Sequence, residues 1–306
     1  MIEAWALVED GVVVKSHDAG RLVPWWSFTK TVLAAAALVL VRDGLVGLDE
    51  PVEDKPYTLR HLLQHRSGLV NYGGLRAYHE AVERGDDPWP VPELMHRLDA
   101  ERLRYRTGEG WDYSNVGYLI VGRFIEAVTG SPLNEALRRL VLGPLGVETA
   151  RIARERDDLE PVAMGSAKGY HPGWVYHGLL VGSVSDAALL LDRLLADSLL
   201  ADSLLADSLL ADSLLTPDLL QEMLTPFVLP GPIPGRPWQS PGYGLGIMTG
   251  ETTSGLRVGG HTGGGPGSTI AVYRGLDGAR PRTAAFFRTS EDEAKTEEGA
   301  FRLLKA

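Results

Sequence analysis

Pro24-Trp25-Trp26-Ser27-Phe28-Thr29-Lys30 runs straight into a stretch without charge, Thr31 to Val41. The pattern predicts a helix, and one with no charged side belongs in the interior. Ser27 and Lys30 stand three apart at its start, about one turn apart on one face. A serine hydroxyl is a weak nucleophile until a base takes its proton. A lysine one turn away serves as that base when burial and neighbours lower its pKa. The helix start adds a field that favours developing negative charge. A capping serine with a surface lysine is the plainer reading of an isolated Ser-x-x-Lys. Here lysines are few, and Lys30 is the only one with Ser three positions before it.

Composition sets the bounds. The 306 residues suit one large domain or two interwoven lobes. Hydrophobic content of 44% and charged content of 23% are ordinary for a globular protein. A net charge of −10 argues against a nucleic-acid partner. With no cysteine there are no disulfides and no thiolate metal sites. Met1 to Trp5 has neither a basic start nor an apolar core, so we expect no signal peptide. No apolar run is long enough to span a bilayer, and a cytoplasmic protein is expected.

Along the chain, Ala4–Val8 and Val12–Lys15 flank Glu9-Asp10-Gly11 and predict a β-hairpin. The helix after Ser27 should stop at Asp43-Gly44. Thr58 to Gln64 reads as a helix capped by the threonine. His61 and His65 have metal-like spacing, but no Glu follows His61 and no third ligand is evident, so no metal is expected. Pro92–Leu98, Val116–Thr129 and Leu133–Leu142 are further helices. Pro and Gly crowd residues 230 to 244, which suggests an irregular connection. Tyr243–Thr249, Gly255–Gly259, Ser268–Tyr273 and Arg282–Arg288 then read as short strands, and Glu291–Leu304 as a last helix. Strands at both ends with helices between predict an α+β fold. Its α/β lobe would comprise about residues 1–50 and 227–306, with a helical lobe, about 51–226, inserted.

Two more segments carry chemistry. Tyr113-Ser114-Asn115 precedes a helix and reads either as its cap or as a proton-handling Tyr113 beside an Asn115 that bonds Lys30 and a substrate. His261-Thr262-Gly263-Gly264 reads as a Gly-rich turn or as a strand edge whose backbone N–H groups face a substrate carbonyl. Taken together, Ser27-x-x-Lys30, Tyr113-x-Asn115 and His261-Thr262-Gly263 resemble the serine β-lactamase and penicillin-binding superfamily. The branch most similar is that of the class C β-lactamases, with its esterases, D-amino-acid peptidases and amide hydrolases. Leu59 to Leu69, Gly110 to Tyr118 and Pro144-Leu145-Gly146 also fit, and the likeness covers nearly the whole chain outside residues 194 to 213.

The resemblance implies an antiparallel sheet flanked by helices. It implies Ser27 as nucleophile, Lys30 and Tyr113 as the proton-handling pair, and Asn115 positioning Lys30 and the substrate amide. The oxyanion hole would be the backbone N–H groups of Ser27 and Gly264, with His261, Thr262 and Gly263 on the substrate side. His261 stands where the family often has Lys. A mostly neutral histidine weakens recognition of carboxylate-bearing penicillins and favours neutral esters or amides. The expected protein is a serine hydrolase working through an acyl-enzyme on a small ester or amide, with no cofactor. The alternatives are a true β-lactamase and a catalytically silent binding or scaffold protein of the same fold.

Leu194-Leu195-Ala196-Asp197-Ser198 opens four identical five-residue copies that end at Ser213. Thr216 and Pro217 then suit a new helix start. Each copy turns its leucine pair by roughly 140° on a helix of 3.6 residues per turn. One helix from about Asp186 to Leu215 would therefore carry leucine on every side. Such a helix needs a partner surface, most simply the same segment of a second chain in a homodimer. The other reading is an expansion tolerated at the surface.

Overall fold

The computed structural model describes residues 1–196, 213–278 and 280–305. Most of the repeat, with the helix predicted through it and the homodimer it would form, lies outside the described residues. β1 (Glu3–Glu9) and β2 (Val12–His17) form the predicted hairpin. It turns at Asp10 and Gly11, both with positive φ (51° and 75°), as a tight two-residue hairpin turn requires.

The last third of the chain supplies β6 (Phe227–Val228), β7 (Trp238–Tyr243), β8 (Met248–Thr252), β9 (Arg257–Gly265), β10 (Ser268–Gly275) and β11 (Arg282–Arg288). With the hairpin they make an eight-stranded sheet in the order β2-β1-β11-β10-β9-β8-β7-β6. Every pairing in it is antiparallel. Alternation along the strands sorts the side chains into two layers. Ala4, Ala6, Ile270, Val272, Ala285 and Phe287 join the main core. Leu7, Ala271, Tyr273 and Ala284 instead meet Ala300 and Phe301 of the C-terminal helix Glu293–Lys305. A second, three-stranded sheet was not foreseen. It sets β5 (Leu179–Ser183) between β3 (Leu22–Pro24) and β4 (Arg151–Ala153).

α1 (Thr29–Arg42) is the predicted central helix, with every residue from Thr29 to Leu40 buried. Ala34–Ala37 present only methyl groups, so the chain can approach closely. Thr31 Oγ1 donates to the Gly246 carbonyl at 2.7 Å. A side chain on Gly246 would sit 2.2 Å from Ala34 Cβ. α2 (Leu59–Leu63), α3 (Arg76–Arg84), α4 (Val91–Arg97), α5 (Asn115–Thr129) and α6 (Leu133–Leu137) make up most of the helical part. A π-helical turn, Arg138–Leu142, prolongs α6 to the predicted end. α5 and α6 pack on α1. α7 (Val184–Leu195) covers β1, β10 and β11. Pro217 opens the helix Pro217–Leu224, capped by Thr216 as expected.

Three strand boundaries need correction, the first being β9, expected over Gly255–Gly259 and found over Arg257–Gly265. Residues 230–244 are not irregular throughout, because Trp238–Tyr243 forms β7. Pro241 is tolerated there beside a register shift and a partner strand only two residues long. Tyr243–Thr249 is not one strand: Gly244 N donates to the Ile247 carbonyl at 2.8 Å, closing a turn between β7 and β8. Among the described residues no helix is long and apolar enough to cross a membrane.

Candidate active site

Ser27 sits in a 3₁₀ turn, Trp26–Phe28, just ahead of α1 and not within its first turn. Trp26 has φ 43°, a left-handed conformation that bulky residues avoid. Such a residue costs about 1–3 kcal/mol and persists only where its surroundings fix it. Here its indole N–H donates to Ser268 Oγ at 3.1 Å, and its ring meets Tyr170 edge-on. β9 lies directly against the turn. A Cβ on Gly263 would come within 2.4 Å of the Trp25 carbonyl oxygen, and one on Gly265 within 2.5 Å of the Trp26 ring. These glycines lie inside a strand and do not have positive φ, so the Gly-rich-turn reading of this segment is wrong. They are small because the Trp25–Ser27 turn occupies the space of their side chains.

Lys30 is fully buried, with Nζ 3.1 Å from Ser27 Oγ. The rings of Tyr113 and Tyr118 stand 5.0 and 5.7 Å from it. Among the described residues no carboxylate pairs with it. Burial without a counter-charge holds the amine well below its usual range. Desolvation pushes the Tyr113 phenol up, against the opposing effect of its hydrogen bond with Ser27. Burial thus disfavours the charged form of both groups, the ammonium of Lys30 and the phenolate of Tyr113.

The other polar neighbour of Lys30 is His177, whose Nε2 lies 3.1 Å from Nζ. Asn115, expected in that place, turns elsewhere: its Nδ2 donates to Asn71 Oδ1 at 3.0 Å. Its own Oδ1 is buried without a partner. Ser114 is the cap of α5, accepting from Gly117 N at 3.0 Å. Its backbone N–H donates to Nδ1 of the buried His65, at 3.1 Å. His65 is thereby occupied in holding the Tyr113 segment, and His61 Nδ1 sits 2.9 Å from the Thr58 hydroxyl at the start of α2.

Along β9 the side chains alternate. His261 accepts at Nε2 from the Tyr243 hydroxyl at 2.8 Å and donates from Nδ1 to the Thr262 carbonyl at 2.7 Å. A carbonyl only accepts, which fixes the tautomer. Burial pushes the His261 pKa down to about 3, so the ring is neutral. Thr262 faces the other way and donates to Glu297 Oε1 at 2.6 Å. Glu297 is fully buried and also takes hydrogen bonds from Arg236, Trp238 and Tyr273. Thr262 thus anchors the strand from behind.

Ser27, Asn115, His177 and Gly264 open onto one cavity of about 710 Å³. Rings of Trp26, Tyr72, Tyr78 and Trp174 line one part of it, and charged Glu83, Arg84, Asp86, Lys168, Glu291 and Glu293 line the rest of the rim. Asn71 and His177 were missed in the sequence. Asn71 sits in an Asn-Tyr-Gly-Gly segment that signals only a turn, and a lone histidine in a loop gives no signal. Among the described residues no group of histidines and acidic residues is placed to hold a metal.

A family model described as Beta-lactamase matches residues 4–305. Esterase EstB of Burkholderia gladioli is 34% identical over 141 residues, 40% of this chain and 36% of the relative. Penicillin-binding protein 4* of Bacillus subtilis (strain 168) is 28% identical over 164 residues, 49% of this chain and 34% of the relative. The matches thus span about a third of the length of these two curated relatives. The D-amino acid amidase from Ochrobactrum anthropi SV3 superposes with a TM-score of 0.79 at 23% identity, covering 99% of this chain and 94% of that one. At that identity the likeness shows the fold.

Proposed function

The chain belongs to the Beta-lactamase family, and on that premise we propose that it is a serine hydrolase passing the acyl group of a small ester or amide through Ser27 to water. One observation carries the reading. A serine on the wall of a large cavity lies 3.1 Å from a fully buried lysine whose pKa burial lowers. Ser27 Oγ attacks the carbonyl carbon as Lys30 takes its proton. The oxyanion is met by the backbone N–H groups of Ser27 and Gly264. The proton passes by way of Tyr113 to the leaving oxygen or nitrogen as its bond to carbon breaks. Water then gives a proton to the same pair, attacks the acyl carbon and releases the acid, and Ser27 regains its hydrogen. Asn115, with an unpartnered Oδ1 at the cavity, receives a substrate N–H.

The aromatic rings on the wall suit an apolar acyl group, whereas His261, expected on the substrate side, is buried with both ring nitrogens bonded and does not line the cavity. The test is a hydrolysis screen over p-nitrophenyl esters, amino-acid amides, D-peptides and nitrocefin, with Ser27→Ala as control. Turnover of esters or amides that Ser27→Ala abolishes supports the proposal. Nitrocefin as the preferred substrate makes the protein a true β-lactamase, and no turnover of any class leaves the silent scaffold.

A further inference from the structure

His177 stands in the turn before β5, followed by Gly178 with φ 91°, a conformation that suits glycine. It is 3% exposed and lines the same cavity as Ser27. Its Nε2 is as close to Lys30 Nζ as the Ser27 hydroxyl is, 3.1 Å in each case. Among the described residues its buried Nδ1 has no side-chain hydrogen-bond partner. A structural filler at this place needs no ring nitrogen aimed at the amine.

Two bases this close do not both become cations, and burial lowers the pKa of each. A neutral amine has two N–H bonds and one lone pair. It accepts the Ser27 proton only when the lone pair faces Oγ, so its N–H bonds must point elsewhere. The tyrosine rings beside it present their faces to the amine, and ring faces are weak acceptors.

We propose that His177 is the positioning residue of Lys30: its Nε2 accepts an N–H of the amine and so turns the lone pair onto the Ser27 hydroxyl. The inference rests on the acyl-enzyme reading above. It places the ring proton on Nδ1, which leaves the Nε2 lone pair free to accept from the amine. When Lys30 takes the proton of Ser27 it becomes an ammonium with three N–H bonds, one still held by Nε2. His177 neither gains nor loses a proton. The titratable groups that act on its ring are Lys30, His261 and His65, and burial holds all three toward their neutral forms.

The probe is a fluorophosphonate, which reports activation of the serine without a known substrate. Its second-order rate of labelling, followed by intact mass against pH, is compared in the parent, His177→Leu and His177→Gln, with thermal melts to confirm folding. His177→Leu should lower the plateau rate about 10–100-fold, the scale of a misplaced reacting group. Its acidic limb should move to lower pH, because the ammonium form of Lys30 loses an acceptor. His177→Gln, whose amide oxygen can accept, should label within about threefold of the parent. A merely structural loss would admit water to Lys30, move the limb to higher pH and harm both variants alike. That pattern, or a parental plateau in His177→Leu, overturns the proposal. Should the leucine variant fail to fold, His177→Met fills the space and is judged by the same criteria. Ser27→Ala and Lys30→Ala separate the two levels. Labelling that survives in Ser27→Ala removes the acyl-enzyme reading itself. Silence in both controls with a parental rate in His177→Leu removes only the role of His177.

Discussion

Gly263→Ala should strike the active site through a single methyl group. The new Cβ would lie 2.4 Å from the Trp25 carbonyl oxygen, 2.8 Å from Trp26 Cβ and 2.9 Å from the Ser27 amide nitrogen. Real Cβ atoms essentially never approach closer than 3.0 Å, so β9 and the Trp25–Ser27 turn must part by at least 3.0 − 2.4 = 0.6 Å. Neither side yields cheaply: Gly263 is paired with Ile270 of β10, and the turn is tied to β5 by Trp25 N donating to the Leu180 carbonyl. Overpacking of this kind costs about 1–3 kcal/mol of stability. The same movement carries the Ser27 hydroxyl and amide away from Gly264. A misplacement of about 1 Å costs about 100-fold, so a shift of this size should lower kcat/KM for a p-nitrophenyl ester about 10–100-fold. Gly20→Ala is the control, since a Cβ there meets nothing within 4 Å. The assay pairs ester kinetics with thermal unfolding of all three proteins. If Gly263→Ala keeps kcat/KM within about twofold of the parent and melts like Gly20→Ala, the contact between strand and turn does not position the nucleophile.

Acid should weaken the fold through its buried histidines. His261 titrates at about 3 when folded and near 6.5 when unfolded. Across that window the unfolded chain binds a proton the folded one does not, so stability falls as pH falls from about 6.5 to 3. Urea midpoints should drop over this range, and less steeply in His261→Asn; parallel curves would remove His261 from the effect. Glu297→Ala leaves Arg236, Trp238, Thr262 and Tyr273 without their shared buried acceptor. Breaking such a buried pair costs about 3–5 kcal/mol, readable in equilibrium denaturation, and a loss below about 1 kcal/mol would show that the network is not holding β9.

Much of the architecture is legible because local chemistry and tertiary packing agree. The uncharged run behind Lys30 can only be buried, and Thr58, Ser114 and Thr216 each sit where a helix cap is needed and cap one. The three-stranded sheet escaped notice because β3, β4 and β5 have three to five residues each and form only by pairing across the chain. β7 was hidden by Pro241 and Gly242, residues that normally argue against a strand. At the site, motif spacing pointed to Ser27, Lys30 and Tyr113, which the fold brings together. It did not anticipate that Asn115 would bond Asn71 and leave His177 beside the lysine. A contact between residues 147 positions apart has no periodic signature in the chain.

The account turns on whether Ser27 takes an acyl-type group with Lys30 as its base. The most direct measurement is intact-mass and peptide analysis after treatment with a fluorophosphonate, run on the parent, Ser27→Ala and Lys30→Ala at matched pH. The account predicts one adduct per chain, carried by the peptide that contains Ser27, absent from Ser27→Ala and formed at least about 100-fold more slowly in Lys30→Ala. An adduct on another residue, or parental labelling in Lys30→Ala, would contradict it.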